Sequence, residues 1–325
     1  MNMTDPFGRK IKYLRLSVTD RCNLRCNYCM PATGVPKLTH QDILSYEELH
    51  QVAGTAVALG VEKIRITGGE PLIRKGLIHF LNQLSGLPGL KELTLTTNGV
   101  LLPGMAEELK EAGVKRLNIS IDSLTANKFS DITRGGKLKN TLRGIDAAER
   151  VGFAIKLNMV VMRGINDNEI LDFANLTMKK NYTVRFIEYM PSTAQSEYNS
   201  LAISGKEIID IVTNRHSLIP MPRNVLSGPA QNFKIAGAVG SLGIITPMSN
   251  HFCADCNRIR VTSTGMLRGC LFAKQEFDLK PALQTVNRFE LEKAFYQCVN
   301  LKNEKHQLTW HEKPQAQFQM SQIGG

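Results

Sequence analysis

Residues 13 to 191 alternate short apolar, β-branched runs with longer stretches of helical periodicity. The strand candidates are 13–19, 63–67, 92–97, 116–122, 155–161 and 184–189. Helices fill the gaps. Ser45-Tyr46-Glu47-Glu48 has the form of a capping box ahead of an amphipathic run that stops at Gly60. Segment 105–112 stops at Gly113, 140–151 stops at Gly152, and 168–180 follows the turn Gly164-Ile165-Asn166-Asp167. Successive β-then-α units need crossover connections, which are right-handed within one sheet, so the six strands are predicted to run parallel. Six units are too few for an eight-stranded barrel, which predicts an open or partial one. In such folds the site gathers at the C-terminal ends of the strands. Polar punctuation recurs there: Thr67-Gly68-Gly69-Glu70-Pro71, Thr96-Thr97-Asn98-Gly99, Ser120-Ile121-Asp122-Ser123 and Glu188-Tyr189-Met190-Pro191. Any one of these is an ordinary turn; their recurrence at one end of successive strands predicts a site.

Cysteines are grouped unevenly. Cys22, Cys26 and Cys29 follow the first strand candidate with the spacing C-x3-C-x2-C and no nearby fourth. Iron–sulfur clusters are usually held by four cysteines. Three thiolates leave one iron of a four-iron cluster open, which is the arrangement of a reactive site. The aromatic Tyr28 just before the last cysteine resembles the C-x3-C-x-aromatic-C motif of radical S-adenosylmethionine (SAM) enzymes. A partial zinc site and disulfides are the competing readings. A second set, Cys253, Cys256 and Cys270, has the spacing C-x2-C-x13-C. With His251 it matches a Cys3His zinc site as well as a second cluster, and the upstream set tilts the choice toward iron. Arg258 and Arg260 follow directly; two apart on an extended segment, they point to one side and suit a polyanion. Cys298 is left over and reads as a small buried apolar residue.

Beyond residue 192 the alternation breaks. Gly228-Pro229, Gly237, Gly240 and Gly243 punctuate a strand-and-turn stretch, and 313–325 reads as a weakly structured polar tail. The expected division is 1–191, the barrel, and 192–325, the region of the second cysteine set. The formal net charge of +11 favours anionic partners, but without a basic block it argues against a nucleic-acid tail. Aromatic residues are only 6%, which offers few stacking platforms for bases. No run approaches the ~20 apolar residues of a membrane helix. Residues 1–10 contain Asp5 and Pro6 and no apolar core, so no secretory signal is expected. The expected setting is therefore the reducing cytoplasm, where thiols are available to metals.

Taken jointly, the two three-cysteine sets, Arg258-Ile259-Arg260 and the terminal Gly324-Gly325 resemble the molybdenum cofactor biosynthesis A family, radical SAM cyclases acting on GTP. The resemblance runs from Asp5-Pro6-Phe7-Gly8-Arg9 to the Gly-Gly end. It implies a partial (β/α)6 barrel with a C-terminal extension carrying a second [4Fe-4S] cluster. Cys22, Cys26 and Cys29 would bind the first cluster, and Cys253, Cys256 and Cys270 the second. SAM contacts would fall on Tyr28, Gly69, Ser120 and Met190. GTP contacts would fall on Arg15, Arg65, Thr96, Lys156 and the segment Arg258, Ile259 and Arg260. Arg258, Arg260, Gly324 and Gly325 would serve catalysis. The implied chemistry is SAM cleavage to a 5′-deoxyadenosyl radical, hydrogen abstraction from ribose C3′ of GTP, and closure onto guanine C8. The product would pass to cyclic pyranopterin monophosphate synthase. An electron donor and a homodimer are the other partners implied. Two alternatives remain: another radical SAM enzyme with an auxiliary cluster acting on a peptide, and a metal-binding nucleic-acid module.

Overall fold

The computed structural model describes residues 3–35, 38–39, 41–190, 198–222, 228–285, 288–308 and 320–323. Six strands and the helices between them alternate as expected: β1 (Tyr13–Ser17), α1 (Tyr46–Ala58), β2 (Lys63–Thr67), α2 (Leu77–Ser85), β3 (Glu92–Thr97), α3 (Ala106–Glu111), β4 (Arg116–Ser120), α4 (Ala126–Thr133), α5 (Leu138–Arg150), β5 (Ala154–Val161), α6 (Ile170–Lys179) and β6 (Thr183–Glu188). After them come α7 (Tyr198–Leu201), α8 (Gly205–Thr213), β7 (Leu218–Pro220), β8 (Gln231–Ile235), β9 (Ser241–Ile245), β10 (Arg258–Val261), β11 (Met266–Arg268), β12 (Phe277–Asp278), α9 (Lys280–Gln284), α10 (Arg288–Asn300) and α11 (Met320–Ile323).

The predicted cap of α1 is in place. Ser45 Oγ accepts from the Glu48 amide (3.2 Å), and Glu48 Oε2 accepts from the Ser45 amide (2.7 Å). Ser204 and Glu207 repeat the device at α8, beyond residue 192, where the sequence reading named no helix. Two further helices, α2 and α4, are absent from the sequence expectation. Gly76 precedes the first and Thr125 the second; neither has a side-chain cap, a lack they share with α3, α5 and α6.

The strands form one 12-stranded sheet in the order β12-β11-β10-β1-β2-β3-β4-β5-β6-β9-β8-β7. Strands β1 to β6 are parallel throughout. The C-terminal region extends both edges: β10 pairs parallel to β1, and β9 parallel to β6. Antiparallel β11 and β8 follow outside them. No pairing joins β9 to β10 among the described residues, so the parallel array stays open, a partial barrel.

Side-chain alternation divides the sheet's two faces. Leu14, Leu16, Ile64, Ile66, Leu117, Ile119, Val184, Phe186, Ile259 and Val261 join one hydrophobic core together with residues of the helices, such as Phe80, Phe173 and Phe295. The intervening positions are polar: Tyr13 and Arg15 on β1, Lys63 and Arg65 on β2, Asn158 on β5, Arg185 on β6, Arg258 and Arg260 on β10. Cys298 is buried in the core, as expected of a small apolar residue.

Candidate active site

All six clustered cysteines line one cavity of about 250 Å3. Cys22, Cys26 and Cys29 come from the loop after β1, at the C-terminal ends of the strands. A short helical turn, Cys253–Asp255, and the bend after β11 supply Cys253, Cys256 and Cys270. No disulfide joins any of the seven cysteines, all of which are described. The first loop is held tightly against the Gly68-Gly69 turn. A Cβ at Gly69 would come within 2.2 Å of the Arg21 carbonyl oxygen, and one at Gly68 within 2.4 Å of that of Thr19. The Gly69 and Glu70 amides donate to those same two carbonyls, of Thr19 and Arg21 respectively, each at 2.7 Å.

Two carboxylates stand at this end of the cavity. Glu70 accepts from the Thr97 hydroxyl (2.8 Å) and the Asn98 amide (2.7 Å), and burial raises its carboxyl to about 7. Asp122 accepts from Tyr28 Oη (2.8 Å) and the Val160 amide (2.9 Å), and burial raises it to about 6. Thus Tyr28 is anchored by a side chain of the polar turn after β4. Burial also pushes the Cys22 thiol up to about 11.

Five arginines line the same cavity: Arg15, Arg65, Arg185, Arg258 and Arg260. Burial and mutual repulsion push Arg185 and Arg260 each down to about 9, and lower Arg15 and Arg65 as well. Arg65 Nε, Arg185 Nε and Thr96 Oγ1 are buried without a hydrogen-bond partner among the described residues. Concentrated buried cations, two of them with an unpartnered Nε, fit a polyanionic ligand. At Cys256 burial raises the thiol, yet Arg258 and Lys302 outweigh it and bring it to about 6. The Lys302 ammonium donates to the Gly269 carbonyl (2.6 Å) and lies 3.6 Å from Cys256 Sγ.

The donor sets also fit clusters better than single ions. Among the described residues the group with ligand atoms within 4.8 Å of one another is His251, Cys253 and His306. Neither cysteine triplet is drawn that close, so each has room for an inorganic core wider than one tetrahedral ion. His251 lies against His306, ring centroids 4.0 Å apart, and both imidazoles stand beside Cys253 of the second triplet.

Of the residues expected from sequence, Tyr28, Gly69, Ser120, Met190, Arg15, Arg65, Thr96, Arg258 and Arg260 all line the cavity with the cysteines. Two do not. Ile259 is fully buried in the hydrophobic core, because strand alternation turns it away from the face that carries Arg258 and Arg260. Lys156 shares a face with Asn158 and Val160 but sits nearer the N-terminal end of β5, outside the cavity wall. Burial and four neighbouring cations lower its ammonium to about 6. Gly324 and Gly325 lie outside the described residues. The tail is not wholly unstructured, however: Met320 lines the cavity and Ile323 is buried. Sequence reasoning placed Glu70 and Asp122 in the site's polar turns without giving either a role, and it missed Tyr13 and Arg185. The available signal was a polar side chain at alternate positions of otherwise Leu/Ile/Val strands, as in Lys63-Ile64-Arg65-Ile66.

An open parallel barrel that carries a three-cysteine loop after its first strand defines a class, the radical SAM enzymes. Residues 16–177 match the model described as Radical SAM superfamily, and residues 182–308 match Molybdenum Cofactor Synthesis C. Similar solved structures include Streptococcus suis SuiB bound to S-adenosylmethionine, with a TM-score of 0.59 and 14% identity over 89% of this chain and 67% of that one. Another is anSMEcpe with bound AdoMet, with a TM-score of 0.54 and 16% identity over 87% of this chain and 84% of that one. At such identities the likeness speaks for the fold alone. Sequence relatives are far nearer. The GTP 3′,8-cyclase of Geobacter sulfurreducens is 54% identical over the whole of both chains. That of Moorella thermoacetica is 46% identical over 99% of this chain and 100% of its own. The chain belongs to the GTP 3′,8-cyclase family. No helix among the described residues is long and apolar enough to cross a membrane.

Proposed function

We propose that this chain cyclises GTP to 3′,8-cyclo-7,8-dihydro-GTP, the step of molybdenum cofactor biosynthesis for which its family is named. One observation carries the reading: two three-cysteine sets and five arginines line a single cavity. Cys22, Cys26 and Cys29 would hold a [4Fe-4S] cluster at the C-terminal ends of the strands, and Cys253, Cys256 and Cys270 a second one. When bound, the first cluster with SAM supplies one-electron cleavage of the sulfonium and hence a hydrogen-abstracting radical.

The protein's part is placement. Tyr28, held by Asp122, together with Gly69, Ser120 and Met190, forms the SAM end. Glu70 and Asp122 give that end a negative bias matched to a ligand with ammonium and sulfonium charges. Arg15, Arg65, Arg258 and Arg260, with Thr96, hold the triphosphate and orient the base toward the second set. Lys156 lies beneath, where a bound triphosphate would favour its protonated form, and Arg185 joins the arginines on the cavity wall. The main chain of Ile259 spaces the two arginines of β10. Met320 on the wall supports a role in closing the site for the tail that ends in Gly324 and Gly325. The reaction requires an electron donor, and its product suits cyclic pyranopterin monophosphate synthase. A cytoplasmic homodimer is part of the same proposal.

The test is anaerobic incubation of the iron-loaded protein with SAM, reductant and GTP. Cyclised nucleotide and 5′-deoxyadenosine should form together. Zinc without iron in anaerobically prepared protein, or 5′-deoxyadenosine formed on a peptide but not on GTP, would sink it.

A further inference from the structure

Tyr13 begins β1, at the end of the strand away from the first cysteine loop. It is 1% exposed, yet it lines the cavity. Its phenolic oxygen is enclosed and has no hydrogen-bond partner among the described residues. A buried hydroxyl without a partner is costly, and such groups in native proteins usually meet a ligand or an ordered water.

Its surroundings define the ligand's charge. Tyr13 lies in register with Arg258 on one neighbouring strand and Lys63 on the other. The Lys63 ammonium is 5.0 Å from the ring centroid and the Arg65 guanidinium carbon 5.4 Å. Arg15 acts on it from the same strand. The nearby carboxylate, Glu92, is engaged by Lys63 (2.9 Å) and Arg116 (2.6 Å). Arg258, Arg185 and Arg260 act on it as well, and an unpartnered phenolic hydroxyl among these cations is a seat for an anionic oxygen.

We propose that Tyr13 is a phosphate ligand, its phenolic O–H donating to an oxygen of the outer phosphates of the bound nucleotide. The inference rests on the function proposed above, because it takes the nucleotide to occupy this cavity. It adds a neutral donor to the arginines, one that a nucleoside without phosphates cannot use.

The same geometry sets a pH signature. Burial alone would raise the phenol, but Arg65, Arg15, Lys63 and Arg258 draw it down to about 8. A phosphate accepting its hydrogen holds the proton in place, so the bound state carries more protons above that pH than the free one. Affinity for the triphosphate therefore falls as pH rises through this range.

The experiment is equilibrium binding of GTP and of guanosine to cluster-loaded wild type and Tyr13→Phe, at about pH 7 and about pH 9. Phenylalanine keeps the ring against Lys63 and Arg65, and iron content and SAM binding report an intact site. The variant should lose roughly tenfold or more in GTP affinity at the lower pH, with guanosine affinity unchanged. Wild type should bind GTP more weakly at the higher pH, and the variant should lose part of that dependence. Equal GTP affinity in the two proteins, equal losses for GTP and guanosine, or a pH-independent wild type overturns the assignment. Wild type that cyclises GTP while Tyr13→Phe binds it equally well overturns this inference alone. Wild type that binds no GTP overturns the proposed function, and this inference with it.

Discussion

The two cysteine sets line one cavity in inverted electrostatic settings. Around the first, burial and Glu70 raise Cys22 to about 11, and burial and Asp122 raise Cys26 well above its ordinary value. Around the second, burial raises Cys253 as it does the first set, but at Cys256 Arg258 and Lys302 win and hold the thiol near 6, so the inversion is local to the cysteine that leads into β10. The difference comes from which elements supply the neighbours. The first loop leans on the polar turns after β2 and β4, which carry carboxylates. The second set leads directly into β10, whose face carries arginines. One end of the cavity therefore favours a cationic ligand and the other an anionic one. Under the proposed function, two substrates of opposite charge would each meet a matching end of the cavity. Thiolates are what bind metal, so iron loading at the first set should also release more protons.

The largest effect tests whether the two sets are separable. Cys26→Ser should abolish 5′-deoxyadenosine formation while the second set keeps its iron. Cys256→Ser should retain SAM cleavage and lose the cyclised nucleotide. Identical product profiles for the two variants would erase the division of labour. Next is Arg260→Ala, which should weaken GTP binding and cyclisation roughly 10- to 100-fold, the worth of a charged hydrogen bond or two, with both clusters assembled. Loss of iron in that variant would make Arg260 a structural residue instead.

A smaller effect concerns pH. Lys156 and Arg185 bind their protons less tightly in the folded chain, with values of about 6 and about 9. Between those lowered values and their ordinary ones the unfolded chain holds more protons, so raising pH favours the fold. In cluster-loaded, nucleotide-free protein the Tm contribution of this cation cluster should rise as pH increases from about 6. Adding GTP should flatten that rise, and so should Lys156→Met. A wild-type slope that Lys156→Met leaves unchanged would show that the cavity's cations are already balanced. Smallest is Ile259→Val, which should cost about 0.5–1.5 kcal/mol of stability and leave GTP affinity untouched. A changed affinity would mean that the strand's side-chain alternation is misassigned.

Some of this was legible in the chain and some was not. Strands β2 and β3 fall at their expected bounds, because turn residues punctuate them on both sides. Helices α2 and α4, of 9 and 8 residues, went unread; a missing side-chain cap does not account for this, since α3, α5 and α6 lack one too. Ile259 was drawn in by its neighbours Arg258 and Arg260, although β-strand alternation alone argues that it faces away from them. The tail read as weakly structured on composition, but Ile323 is buried, a contact that composition does not encode.

What the sequence determined by itself is the local chemistry: six parallel strands, two cysteine triplets with iron-ligand spacing, and a pair of arginines on one strand face. These depend on residues within a few positions of one another. Only the tertiary structure decided that β10 lies beside β1 and β9 beside β6. The first pairing joins residues more than two hundred positions apart, as Arg15 with Arg260, and the second residues such as Thr183 and Ser241, so no local pattern contains either. It is also what brings the second cysteine set to the same cavity as the first, and sets the arginines of β10 beside Tyr13.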